Sequence, residues 1–210
     1  MFKNRTEASK KIAAKLLEKL DLKENLVVLG IPRGGVLVAS IVSQFLNCSF
    51  DVIVTKKIPS PKSLELAIGA LGETKGSLYL NKDLINKLKV NQNYLNTKIE
   101  ELKEEIKRRE KSFRQNKKPL VLKGKTVIIT DDGAATGATM IAAVREVWNN
   151  EPKKVIIALP VLTKETLLDL EKEADEVIFL KAPKHFFAVG QFYEEFEQVS
   201  DKKVIGLLKE

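Results

Sequence analysis

Two adjacent carboxylates, Asp131 and Asp132, end an apolar run, Val127-Ile128-Ile129-Thr130, and are followed by Gly133-Ala134-Ala135-Thr136-Gly137-Ala138-Thr139. Small residues let backbone N–H groups approach a phosphate closely, and a helix opening behind them adds partial positive charge. Thr136 and Thr139 carry hydroxyls that can donate to the same anion. The aspartates cannot help bind a phosphate; vicinal ribose hydroxyls suit them, and so does a metal. A carboxylate pair beside a phosphate cradle describes a site for a ribose phosphate. No Gly-Lys-Ser or Gly-Lys-Thr follows, which excludes a P-loop, and Gly30-Ile31-Pro32-Arg33-Gly34-Gly35 does not match the dinucleotide fingerprint. A plain acidic strand-to-helix turn would leave the apolar approach, the paired Asp and both Thr without a reason.

The elements that must position these residues alternate. Runs rich in Val, Ile and Leu at 26–31, 50–55, 126–130, 154–159 and 176–180 are separated by amphipathic helical patterns, which predicts a parallel α/β sheet. Helices are expected at 6–20, from the Pro32-Arg33-Gly34-Gly35 turn to about residue 46, at 137–148, at 164–173 and near 201–208. Residues 58–80 differ in character: Pro59, Pro61, Gly69, Gly72 and Gly76 punctuate alternating apolar residues, which reads as a mobile loop leading into a hairpin. Residues 91–115 read as a long charged helix whose apolar positions Leu95, Ile99, Leu102, Ile106 and Phe113 form a narrow stripe. Such a stripe suits an arm laid along the body or against another subunit, as in a homo-oligomer. Glu104–Arg108 and Glu105–Arg109 support that helix at i,i+4 spacing.

Bulk properties bound the function. The chain has 210 residues, 44% hydrophobic and 30% charged, which fits one ordinary soluble domain. Charges near residue 3 stand where a secretory signal needs an apolar stretch, and the longest apolar runs fall far short of a bilayer span, so no membrane is expected and the cytoplasm is the expected location. The formal charge is +8, but Lys and Glu are interleaved rather than blocked, so anionic substrates explain the excess as well as nucleic acid does, and no nucleic-acid motif is present. The single cysteine, Cys48, reads as a small buried hydrophobe, and a lone His185 argues against a histidine metal site.

The strand–Asp-Asp–small loop–helix element at 126–139 resembles the phosphoribosyl pyrophosphate motif of type I phosphoribosyltransferases. Pro32-Arg33-Gly34-Gly35 is similar to the family's pyrophosphate loop, and Lys56-Lys57 to the basic pair that reaches the leaving group from beneath a flexible loop. Two lysines alone would read as solubility; at the carboxyl ends of successive strands, where open α/β sheets bind ligands, they read as site residues. The stretches at 65–70 and 186–190 resemble a bacterial group of predicted phosphoribosyltransferases without an assigned substrate.

The resemblance implies an α/β fold with a central parallel sheet flanked by helices, a small hood at 181–200 and the charged helical insertion at 81–117, all within one domain spanning 1–210. It implies a glycosyltransferase of the pentosyl class in nucleotide metabolism, in which a nitrogenous base displaces pyrophosphate from phosphoribosyl pyrophosphate with magnesium. Arg33, Lys56, Lys57 and the Gly34 and Gly35 amides would serve the diphosphate. Asp131 and Asp132 would hold the ribose and magnesium, and Gly133, Ala134, Ala135, Thr136, Gly137, Ala138 and Thr139 would anchor the 5′-phosphate. Residues 183–190, with Glu194 beyond, are similar to the hood of hypoxanthine-guanine phosphoribosyltransferases, which makes Phe187 the residue stacked on a purine-like acceptor and Glu194 a further acid for magnesium. The proline-to-glycine spacing here is one residue longer and the acid is Glu rather than Asp. Two adjacent phenylalanines are more often core than a base platform, and that is the competing reading of Phe186 and Phe187. The rival function is a regulator that senses phosphoribosyl pyrophosphate or nucleotides without catalysis.

Overall fold

Strand residues buried on both faces read as unbroken Val/Ile/Leu runs, and that is what parallel sheets covered by helices require. The computed structural model describes residues 1–20, 25–115 and 117–209. Among them, five strands form one parallel sheet: β1 (Leu26–Gly30), β2 (Ser49–Val52), β6 (Thr126–Thr130), β7 (Lys154–Val161) and β8 (Glu176–Lys181), in the order β2-β1-β6-β7-β8. All four neighbouring pairs are parallel. The chain steps from β1 outward to β2, then returns to the far side of β1 to form β6. Strand order therefore reverses between β1 and β6, and a crevice opens there at the carboxyl ends.

Alternate residues of these strands feed two cores. Val28, Ile128, Ile156 and Ile178 face α1 (Arg5–Lys19) and α2 (Gly34–Leu46). Val27, Leu29, Ile129 and Ile157 face α5 (Ala138–Trp148) and α6 (Lys164–Leu170). The central parallel sheet flanked by helices is as the sequence pattern implied.

The second run departs from its expected form. It was expected to be a strand through residue 55, but β2 ends at Val52, and Lys56 opens an antiparallel hairpin of β3 (Lys56–Ser60) and β4 (Ser63–Leu71), extended by β5 (Tyr79–Leu80). The hairpin expected within residues 58–80 is there, but it begins at Lys56 and takes up the residues read as a mobile loop, giving a three-stranded sheet. The region read as a helical insertion contains two helices, α3 (Lys82–Leu88) and α4 (Gln92–Arg114); its residue Asn116 lies outside the described residues. Leu95, Ile106 and Phe113 of α4 are buried against the hairpin, Val52, Val54 and α7 (Asp201–Leu207), so the apolar stripe is covered by the body of the same chain. No helix among the described residues is long and apolar enough to cross a membrane.

Candidate functional site

The turn after β6 is braced from behind. Ala134 donates to the Val161 carbonyl at 2.9 Å, and Thr163 takes up the Ala134 carbonyl at 3.3 Å. The hydroxyl of Thr166 takes up the Ala135 carbonyl at 2.7 Å. With these carbonyls satisfied by α6, the loop leads into the first turn of α5, whose opening amides have no partner within the helix. Gly137 caps that helix at φ +67, in the left-handed region, and a Cβ there would sit 2.8 Å from Thr166 Cγ2. Both conditions select glycine.

A cavity of about 260 Å³ lies against this loop. Asp131, Gly133, Ala134, Ala135, Thr136, Gly137 and Thr139 border it on one side; Ile31 and Pro32 of the turn after β1, and Thr55 and Lys57 at the start of the hairpin, border it on the others. The topological crevice between β1 and β6 is thus lined by residues from three separate turns and by Val189 of the hood. A larger cavity, about 680 Å³, lies at the opposite end of α2 beside Asn47, Cys48 and Lys117, away from the carboxyl edge. There Cys48 is half-buried and burial pushes its thiol up to about 11, as suits an inert packing residue.

Two features of the smaller cavity concern its chemistry. Asp131 accepts from the backbone N–H of Asp132 at 2.8 Å and from that of Gly35, yet burial pushes its carboxyl well above the usual carboxylate range, and the adjacent Asp132 adds to the rise. Thr55 is buried, and its Oγ1 has no hydrogen-bond partner. A buried hydroxyl left unpaired costs roughly 1–3 kcal/mol, so its place on the cavity wall marks a contact that a ligand can complete.

The remaining expected site residues are distributed differently. Asp132 lies on Arg5 rather than on the cavity, with Oδ2 2.7 Å from Arg5 Nε. Gly34 packs against that carboxylate, and Gly35 against the Thr130 carbonyl and Asp131, where a Cβ would come within 2.6 Å. Arg33, joined to Pro32 by a cis peptide bond, reaches Asp201 of α7 at 3.7 Å. Lys56 pairs with Glu105 of α4 at 2.5 Å, while Lys57 borders the cavity. Ala138 is buried beside Ala70 and Ala142. Glu194 is exposed and its backbone pairs with Phe2, so it does not join the aspartates. Thr55, Arg5 and the bracing Thr163 and Thr166 were not singled out from sequence.

Magnesium takes oxygen ligands and commonly uses one or two carboxylates together with substrate phosphates. Asp131 and the unpartnered Thr55 hydroxyl are oxygen donors that border the same cavity, which fits an ion shared with a phosphorylated ligand rather than one caged by protein alone. Among the described residues no cluster of three or more His, Cys, Asp or Glu gathers that could hold a metal.

A family model for the phosphoribosyl transferase domain matches residues 3–197. The chain belongs to the phosphoribosyl transferase family. A protein provisionally named as a phosphoribosyl transferase in Mycobacterium tuberculosis strains CDC 1551 and H37Rv is 36% identical over 208 residues, 99% of this chain. The match takes in 46% of that protein, so the chain spans about half the length of the curated relatives it matches. The crystal structure of TT1426 from Thermus thermophilus is 35% identical, with a TM-score of 0.81 over 99% of this chain and 97% of that one. The AQ2163 protein from Aquifex aeolicus shares the fold at 16% identity, with a TM-score of 0.51 over 85% of this chain and 74% of that one.

Within this phosphoribosyl transferase fold, Phe186 and Phe187 separate cleanly. The Phe186 ring packs 4.9 Å from that of Phe192, whereas Phe187 is 90% exposed. Gln191 holds the loop around it: its Oε1 accepts from the backbone of Phe187 at 2.9 Å and of Ala188 at 3.2 Å, and its Nε2 donates to the His185 carbonyl at 3.0 Å. Phe187→Ala should therefore change stability by no more than about 0.5 kcal/mol, whereas loss of a core phenylalanine costs about 3–5 kcal/mol. A thermal melt decides the matter: a fall of many degrees would return Phe187 to the core.

Proposed function

We propose that the protein binds phosphoribosyl pyrophosphate in the cavity between the turns after β1 and β6, and transfers its phosphoribosyl group to a nitrogenous base with release of pyrophosphate. The observation that carries this reading is the meeting, in one cavity, of a braced helix-opening loop, a carboxylate and a lysine. The loop at 133–139 suits the 5′-phosphate, with the Thr136 and Thr139 hydroxyls donating to it. Asp131 suits the ribose hydroxyls as acceptor and, with diphosphate oxygens, would hold magnesium. Bound there, magnesium would neutralise charge on the departing diphosphate. Lys57 stands across the cavity to meet the same diphosphate as a point charge. The exposed Phe187 offers a flat face to the acceptor ring, and a cytoplasmic setting supplies both substrates.

The decisive assay incubates purified protein with phosphoribosyl pyrophosphate, magnesium and a panel of purine and pyrimidine bases, and reads pyrophosphate release together with nucleotide formation. Base-dependent release supports the transferase. Tight ligand binding with no turnover on any base would replace it with a sensor of phosphoribosyl pyrophosphate.

Thr55→Val tests the cavity wall independently of turnover. Removing a buried hydroxyl that has no partner should raise the stability of the free protein by about 1 kcal/mol. The same change should weaken phosphoribosyl pyrophosphate by roughly 5–10-fold, the worth of one neutral hydrogen bond. Calorimetry and melting on the one variant give both numbers; unchanged affinity would remove Thr55 from the site.

A further inference from the structure

Asp131 and Asp132 look equivalent in sequence, yet the fold gives them different partners. Asp131 borders the cavity. Asp132 meets Arg5, the residue that opens α1, and the side chains of the pair are only 14% and 10% exposed. Arg5 spends its flat fork on three separate groups. Nε donates to Asp132 Oδ2 at 2.7 Å and Nη1 to the Glu197 carbonyl at 2.6 Å, while the guanidinium lies 3.7 Å from the centre of the Phe196 ring. A lysine could reproduce one of these contacts at a time, because a point charge lacks the planar donor set and the stacking face.

The same spot is where the chain's first residues meet the segment beyond the hood loop. The backbone of Phe2 donates to the Phe192 carbonyl at 2.7 Å, and Glu194 donates back to the Phe2 carbonyl at 2.9 Å. The hydroxyl of Tyr193 donates to the backbone carbonyl of Asp132 at 2.6 Å. On its other side the Asp132 carboxylate presses on the turn after β1: a Cβ on Gly34 would fall 2.0 Å from Asp132 Oδ2 and 3.2 Å from Arg5 Nε. One buried ion pair thus touches the start of α1, the segment at 192–197, the turn after β6 and the turn after β1. Two of those four border the cavity.

We propose that Arg5 is a positioning residue for the ligand cavity: it holds Asp132 against the Gly34 turn and anchors residues 193–197, so that Asp131 alone of the pair faces the ligand. The proposal rests on the reading of this cavity as the phosphoribosyl pyrophosphate site. Arg5 does not border the cavity, so its effect on the ligand is indirect. Without it, Asp132 is a buried carboxylate with no counter-ion, and relief comes only by movement of the turn after β6 or of the 193–197 segment.

The test compares the parent protein with Arg5→Met, which keeps an apolar stem, and Arg5→Lys, which keeps the charge. Amide hydrogen exchange is read by mass spectrometry, and phosphoribosyl pyrophosphate with magnesium is titrated by calorimetry. Arg5→Met should speed exchange in 131–139 and 192–197 while leaving α4 at the parent rate, and should weaken the ligand about 10–100-fold, the size of effect seen when the outer shell that orients metal ligands is removed. Arg5→Lys should recover part of the affinity but not the protection of 192–197, where the fork and the stacked face are needed. If Arg5→Met does not fold, Arg5→Lys and Phe196→Leu provide the same regional comparison. Faster exchange spread evenly over every element, α4 included, would reduce Arg5 to general stability and overturn the proposal, as would unchanged exchange and affinity. If the parent itself fails to bind phosphoribosyl pyrophosphate, the functional reading falls, and the regional exchange pattern still decides whether Arg5 holds these segments.

Discussion

Replacing Asp131 by Asn is expected to weaken phosphoribosyl pyrophosphate by about 100-fold in the presence of magnesium while making the free protein more stable. The first effect follows from loss of the one carboxylate of the pair that borders the cavity, since charge-assisted contacts are worth about 1.5–3 kcal/mol each and a shared ion adds to that. The second follows from burial and the neighbouring Asp132, which together push the Asp131 carboxyl well above its usual range. A carboxyl whose pKa is raised in the folded chain holds its proton more tightly there than in the unfolded chain. Its contribution to stability is then greatest in acid and is lost as pH climbs from about 4, the unfolded value, through the folded value. Asn has no proton to lose. The variant's advantage should be absent near pH 4 and reach about 1–2 kcal/mol above the folded pKa, a rise of about 2–8 °C in melting temperature for a chain of this size.

Magnesium separates the two roles within one titration. Without the ion, an uncharged residue beside an anionic ligand removes a repulsion, so Asp131→Asn should bind as well as the parent or better. If affinity with magnesium is unchanged by the substitution, Asp131 does not contact the ligand and the site is wrongly placed.

The sheet and the loop at 131–139 were legible because their determinants are contiguous. Val127-Ile128-Ile129-Thr130 states a buried strand, the small residues state a turn, and the helix follows at once. The parallel sheet needed only the alternation of runs with helices; the order of its strands comes from the structure. What escaped depends on partners distant in sequence. Residues 53–55 have the composition of a strand, but Lys56 pairs with Leu71 and Lys57 with Ala70, so the chain leaves the parallel sheet early and the lysines fall on a hairpin. Asp132 reads like Asp131 until Arg5, 127 residues away, is placed beside it. Thr55 is informative only through a missing hydrogen bond, which no sequence pattern records. Phe186 and Phe187 carry the same side chain, and only the fold, which packs Phe186 on Phe192 and ties the loop backbone to Gln191, separates the packed ring from the exposed one.

The two lysines at the head of the hairpin give the last large effect, because they are neighbours with opposite expected behaviour. Successive residues of a strand point to opposite faces. Lys56 turns toward α4 and meets Glu105, an ion pair whose side chains are 24% and 33% exposed. Pairs so open to water are worth at most about 1 kcal/mol, so Lys56→Ala should cost little stability and change affinity by no more than a few-fold. Lys57 pairs with Ala70 across the hairpin and borders the cavity opposite the loop at 133–139. A lysine held against a diphosphate makes a charge-assisted contact worth about 1.5–3 kcal/mol, so Lys57→Ala should weaken phosphoribosyl pyrophosphate by roughly 10–150-fold. Ribose 5-phosphate, which lacks the diphosphate, separates leaving-group recognition from general attraction. Its affinity should be nearly the same in the Lys57 variant and the parent. Equal losses from the two lysines, or a Lys57 effect of the same size on ribose 5-phosphate, would mean that these side chains act through the overall positive field and not at the diphosphate.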